Sequence, residues 1–249
     1  MKKIALAMCA LCASVSLCAA SPFQSAIDRA HRDGLYHVYV KQLATTSTKV
    51  VSYDELVKAA QGYQVVVIGG YSGLGYAYPD KVRQDLEMLV RAVGDHALYV
   101  LGATSDGIGQ AYKDIPAIAD MLGYHDIKMA GIVSRNAAQW GIEPQDYVVF
   151  VDTAVDDWAV VVDGKSLYIK IAADTNGVVI YFRGGGTSKG ELEEALADGL
   201  PVFLVVDNTT IPNKANVEKR LSRNPNYVVD GTVDIVKNAK KWKNLIVIQ

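Results

Sequence analysis

The sequence predicts a doubly wound α/β fold with a mostly parallel sheet, and three observations predict it. Short apolar runs such as Gln64–Ile68 and Ala97–Leu101 alternate with stretches whose apolar residues recur at helical spacing. Runs without polar alternation belong to strands buried on both faces, which requires helices above and below the sheet. Three of the runs end in glycine-rich turns that lead towards a helix. The 249 residues suit one such domain with a short N-terminal helix–strand extension. The divisions expected are 1–20, 21–60 and 61–249.

Met1-Lys2-Lys3, the uncharged run Ile4–Leu17 and the small residues Cys18-Ala19-Ala20 have the build of a secretory signal peptide. The apolar run is shorter than the ~20 residues of a spanning helix. Cys9, Cys12 and Cys18 follow Met8, Leu11 and Leu17, where a lipoprotein pattern wants small residues, so no lipid anchor is expected. All three cysteines lie in this leader, and the mature chain from Ser21 has no disulfide or thiol chemistry. The expected address is periplasmic or secreted, with no membrane attachment after cleavage.

In the extension, Ser21-Pro22 can start a helix through Arg32, and Leu35–Gln42 alternates like a strand. Ser52-Tyr53-Asp54-Glu55 matches a capping box opening a helix to about Gln61. After the strand at 64–68, Pro79 opens a helix whose Val82, Leu86, Leu89, Val90 and Val93 share one face. Strand 97–101 and a helix through 117–122 lead to strand 128–133, and Tyr147–Val151 is a further strand. A helix at 167–173, a strand at 178–182, a helix at 189–198 and a strand at 201–206 follow. Helices at 213–221 and 232–241 and a strand at 245–248 complete the pattern.

The chain has 25 basic and 27 acidic residues, 50% hydrophobic and 21% charged. That composition excludes disorder of the whole and the overall basic excess of a nucleic-acid binder. His31, His37, His96 and His125 are scattered singly, and the acidic group Asp152, Asp156, Asp157 and Asp163 lacks EF-hand spacing, so neither metal nor other cofactor is expected.

The glycine-rich turns carry the functional expectation. They comprise Gly69, Gly70, Tyr71 and Ser72; Gly102, Thr104, Ser105, Asp106 and Gly107; and Arg183, Gly184, Gly185, Gly186, Thr187 and Ser188. At strand ends, glycine lets backbone approach a ligand, and helix N-termini offer free amides to an anion. The expected partner is a small phosphorylated or nucleotide-like ligand. Tyr71 and Ser72 are candidates for stacking and hydrogen bonding, and Asp106 for a ribose hydroxyl or a simple turn. Neither G-x-G-x-x-G, a Walker lysine nor G-x-S-x-G is present, which disfavours ordinary NAD binding, P-loop hydrolysis and serine hydrolysis.

Arg183-Gly-Gly-Gly-Thr-Ser-Lys-Gly-Glu191 resembles a degenerate P-G-G-x-G-T-x-x-E, the signature of the Lonely Guy (lysine-decarboxylase-like) family. Gly184, Gly185 and Glu191 match; Ser188 replaces the threonine, Arg183 the proline and Thr187 a glycine. The Gly102–Gly109 segment resembles the family's Y-G-G-G-x-x-G-L-M-G, and the resemblance extends over about residues 64–206. It implies a Rossmann-like fold, a homodimer, and nucleoside-monophosphate phosphoribohydrolase activity with Glu191 as the catalytic carboxylate. The family's arginine–lysine pair has no match in 152–174, where only Lys165 and Lys170 are basic. Arg183 is left as the candidate phosphate cation.

Three readings stand at this level. In the first, the domain binds a nucleotide without turning it over; in the second, Glu191 makes it an N-glycosidic hydrolase; in the third, the crevice is vestigial and the protein acts through a surface. Ser188-Lys-Gly-Glu191 also reads as a capping box, which assigns Glu191 the simpler task of starting a helix.

Overall fold

The computed structural model describes residues 34, 36–38, 40–143, 145–154 and 158–249. The expected leader, the helix expected after Pro22 and the Asp156–Asp157 pair lie outside the described residues. From residue 49 onward, the strands and α-helices among the described residues are, in chain order, β1 (Lys49–Val50), α1 (Tyr53–Ala59), β2 (Gln64–Gly70), α2 (Pro79–Val93), β3 (Ala97–Leu101), α3 (Ala111–Leu122), β4 (Ile127–Ser134) and β5 (Tyr147–Val151). Then come β6 (Val161–Val162), β7 (Lys165–Ser166), α4 (Leu167–Asp174), β8 (Val178–Phe182), α5 (Gly186–Ala197), β9 (Val202–Val205), α6 (Lys214–Arg223), α7 (Thr232–Lys237) and β10 (Leu245–Ile248).

Eight strands form one parallel sheet in the order β1-β5-β4-β3-β2-β8-β9-β10. The inner run β4-β3-β2-β8-β9-β10 has the 3-2-1-4-5-6 order of a Rossmann-like fold, and β5 and β1 extend it beyond β4. Connections from β2 proceed one way along the sheet and those from β8 the other, so the topological switch point lies between β2 and β8. β6 and β7 form a separate antiparallel pair.

Among the described residues, two large cores cover the faces of the sheet and a smaller one gathers around Leu43, Val133 and Val148. One of the large cores packs α1, α4, α5 and α7 through residues such as Leu56, Ile169, Leu192 and Ile235 against Val67, Val100 and Val179. The other packs α2 and α3 through Val82, Leu86, Ile115 and Ile118 against Val66, Tyr99 and Phe182. Successive strand residues alternate between these layers, which is why the strands carry no polar face. In the Ser52 capping box, the Ser52 hydroxyl accepts from the Glu55 amide and Glu55 accepts from the Ser52 amide.

Two expectations change. Residues 36–38 and 40–43 are helical rather than extended. Their inward contacts recur at helical spacing: the Tyr36 ring meets Phe150 edge-on, Val40 is half-buried, and Leu43 is buried among Ala103, Val133 and Val148. The helix expected from Lys189 begins at Gly186, with Gly185 as N-cap and no side-chain capping bond. Ser188 and Glu191 therefore form no capping box; both sit inside the helix.

Candidate functional site at the carboxyl edge of the sheet

Because β3, β2 and β8 are neighbours, the turns that follow them lie side by side at the carboxyl edge, across the switch point. They touch. The Ile108 amide donates to the Tyr71 carbonyl at 2.7 Å, joining the turns after β3 and β2. Gly107 permits this approach: its φ is +60°, and a Cβ there would lie 2.0 Å from the Tyr71 oxygen. On the other side, the Ser188 hydroxyl faces the Gly70 carbonyl at 3.5 Å. The Tyr76 hydroxyl accepts from the Tyr71 amide at 3.1 Å and donates to the Phe182 carbonyl at 2.8 Å, tying the turn after β2 to the end of β8.

The expected site residues divide by accessibility. Ser72, Ser105, Asp106, Gly186 and Thr187 are exposed, and Gly69, Gly70, Gly102, Thr104, Gly107 and Gly185 are half-buried. Gly184 and Ser188 are buried. The amides of Gly186 and Thr187 open α5 and have no acceptor within the helix, so they can bind an anion. Tyr71 differs from its expected role. It is buried beneath its own turn, edge-on to Tyr76, and offers no free face for stacking. Its hydroxyl lies near the Asp230 carboxylate without a hydrogen bond of ordinary geometry among the described residues. Burial first, and the Asp230 charge second, hold the phenol above its ordinary range.

Arg183 is committed internally rather than open to a phosphate. Its guanidinium donates to Asp230 at 2.9 Å, Thr210 at 3.2 Å, and the carbonyls of Val206 and Asp207 at 2.5 and 3.1 Å. The backbone at Arg183 is left-handed, with φ of +51°, which turns the side chain towards the loop after β9.

Glu191 lies one turn deeper, on the inward face of α5. Its carboxylate accepts from the Tyr181 hydroxyl at 2.6 Å and the Ser166 hydroxyl at 3.3 Å. Burial pushes the carboxyl from 4.5 up to about 7; the two hydrogen bonds oppose the shift and the Glu194 charge adds to it. Tyr168, whose hydroxyl donates to the Ile132 carbonyl at 2.5 Å, lies close enough to feel the Glu191 charge. No arginine or lysine pairs with Glu191 among the described residues.

Sequence reasoning missed the segment that closes over these turns. The Gly231 amide donates to the Gly184 carbonyl, and Val228 packs on Gly185 and Gly186. Asn216 donates to the Leu74 carbonyl, and Arg220 reaches Gly73. The basic spacing Lys219, Arg220 and Arg223 was the available signal. Two hollows, of about 210 and 250 Å³, lie elsewhere: between α5 and α7, and at the amino-terminal edge by Tyr124 and Asp146. Among the described residues, no group of three or more His, Cys, Asp or Glu is arranged to hold a metal ion, and no helix is long and apolar enough to cross a membrane.

No family model matches the chain, and no curated protein matches it. Among solved structures, it is similar to a molybdenum cofactor carrier protein from Chlamydomonas reinhardtii, with 16% identity and a TM-score of 0.38 over 72% of this chain and 99% of that chain.

Proposed function

We propose that the protein binds a nucleotide or another small phosphorylated ligand at the carboxyl edge, across the turns after β3, β2 and β8, without turning it over. The single observation that carries this reading is the direct contact among three turns on adjacent strands at the switch point. Exposed Ser72, Ser105 and Thr187 place hydroxyls along the same edge, and the open end of α5 adds amides and the positive end of its dipole. Export through the 1–20 leader and assembly as a homodimer belong to the same proposal; N-terminal sequencing of the secreted protein and light scattering test them.

Thermal unfolding with AMP, ribose 5-phosphate and adenosine tests the binding. A ligand that prefers the native state raises the melting temperature. The two phosphorylated compounds are expected to stabilise the protein and adenosine is not, with Thr187→Ala weakening the effect. No stabilisation by either phosphate compound would sink the proposal.

Glu191 favours a second reading, an N-glycosidic hydrolase acting on a nucleoside 5′-monophosphate. A carboxyl with a pKa near 7 is suited to give or take a proton at neutral pH. Chromatography of AMP incubated with the protein decides it: free adenine, lost in Glu191→Gln, supports hydrolysis, and intact AMP removes it.

A further inference from the structure

We propose that Arg220, on α6, supplies the positive charge for the ligand's phosphate and that Tyr227 holds it in place. The inference rests on the binding reading above and names the cation that Arg183 cannot provide, since Arg183 is bonded to Asp230, Thr210 and two carbonyls.

Charge is distributed unevenly along the chain. Residues 211–249 carry eight lysines and arginines against three acids, although the whole chain is at −2. Within α6, Lys214, Lys219, Arg220 and Arg223 stand against Glu218 alone, and the helix buries no residue fully. A surface helix of this kind is by itself only a solvated face. What distinguishes α6 is how it is fastened.

Its N-cap Asn213 accepts from the Asn216 amide, and the Asn213 amide donates to the Gly75 carbonyl. The Asn216 side chain donates to the Leu74 carbonyl at 3.0 Å, and Tyr76 bridges Pro212 just upstream. The helix is thereby fixed against the turn after β2. Arg220 is four residues beyond Asn216 and shares its face, so the same helical repeat that fastens α6 aims Arg220 at the turn. One guanidinium nitrogen lies 3.3 Å from where a Cβ on Gly73 would stand.

Tyr227 completes the placement. The Arg220 guanidinium sits over its ring, 5.2 Å from the centroid, and the Tyr227 hydroxyl lies 3.4 Å from the Cβ position of Gly185, the N-cap of α5. Arg220 and Tyr227 thus span the mouth of the switch point, from the turn after β2 to the start of α5. Lys214 pairs with Glu218 at 3.9 Å, whereas no carboxylate lies within ion-pairing distance of Arg220 among the described residues. A planar, unpaired guanidinium beside open helix amides matches a phosphate oxygen pair in a way a lysine does not.

Isothermal titration of the full mature chain with inorganic pyrophosphate and with AMP tests the proposal. Arg220→Gln is expected to weaken binding of both by roughly tenfold or more, the size of a charge-assisted hydrogen bond. Arg220→Lys should recover part of the loss. Lys219→Gln, on the same exposed helix, should leave affinity within about twofold, a few tenths of a kcal/mol. If wild type binds pyrophosphate or AMP and Arg220→Gln binds as well, this inference is overturned while the binding reading stands. Equal losses in Arg220→Gln and Lys219→Gln overturn it too, because they indicate a diffuse basic surface. Failure of wild type to bind either probe overturns both readings. Arg220 is exposed, so an unchanged melting temperature separates these outcomes from misfolding.

Discussion

Arg183 and Asp230, 47 residues apart in sequence, form an ion pair at 2.9 Å with side chains only 16% and 18% exposed. The pair joins the turn after β8 to the segment that closes over it. Removing one member of a largely buried pair leaves the other charge desolvated without compensation. Arg183→Ala is therefore expected to lower stability by about 3 kcal/mol, and Arg183→Lys to rescue little because the fork geometry is lost. Urea unfolding measures both. A loss below about 1 kcal/mol, the range of exposed pairs, would show the bridge to be peripheral.

Tyr76 is the hinge between the turn after β2 and the end of β8. Its hydroxyl serves the Tyr71 amide and the Phe182 carbonyl, both buried. In Tyr76→Phe both backbone groups lose their partner at once. The expected cost is about 2 kcal/mol, since buried groups left unsatisfied cost more than a hydrogen bond contributes. Hydrogen exchange at the Tyr71 amide should accelerate by more than the global stability change explains; unchanged protection there would mean that the turn finds another acceptor.

Much of the sheet was legible because buried parallel strands leave a plain trace: β3, β5, β8 and β10 occupy the residues their apolar runs indicate. The glycine turns were legible for the same reason, being the ends of those runs. The strand expected at Leu35–Gln42 is helical over the described residues 36–38 and 40–43, because a short stretch with apolar side chains at 36, 38, 40 and 43 satisfies both periods until a partner surface selects one. The Ser188–Glu191 pattern misled because backbone, not side chain, starts α5: the chain leaves β8 through Arg183 and Gly184 at positive φ and enters the helix at once. The carboxylate that Arg183 meets lies 47 residues downstream of it, and the arginine that meets Gly73 lies 147 residues downstream, so no local pattern reports such contacts.

Gly69 lies under the Tyr181 ring, and a Cβ there would stand 2.2 Å from a ring carbon. The two residues face each other across the β2–β8 ladder. Gly69→Ala must displace Tyr181, and with it the hydrogen bond to Glu191. Overpacking of this kind costs roughly 1–3 kcal/mol. Shortening the opposing side chain should relieve it, so Gly69→Ala/Tyr181→Leu is expected to lose less than the sum of the single variants by 1 kcal/mol or so, the coupling of residues in contact. Strict additivity in the double-mutant cycle would show that the ring moves aside freely.

Glu191 makes stability fall as pH rises through neutrality. Its pKa is raised from 4.5 to about 7 in the folded protein, so the native state holds a proton that the unfolded chain has released. The contribution is fully present below about pH 4.5 and lost as pH passes about 7, with a ceiling of roughly 3 kcal/mol at 1.36 kcal/mol per pKa unit. Asp95, Asp126 and Asp207, whose pKa values are lowered, act in the opposite sense at lower pH, so the total profile mixes both. Glu191→Gln isolates the effect, because the amide keeps the size of the protonated acid and cannot ionise. The variant is expected to match wild type near pH 5 and to exceed its stability by about 2 kcal/mol at pH 8, read from urea midpoints at the two pH values. A difference between variant and wild type that stays constant from pH 5 to 8 would place the Glu191 titration outside that window and remove the proton-transfer argument for this residue.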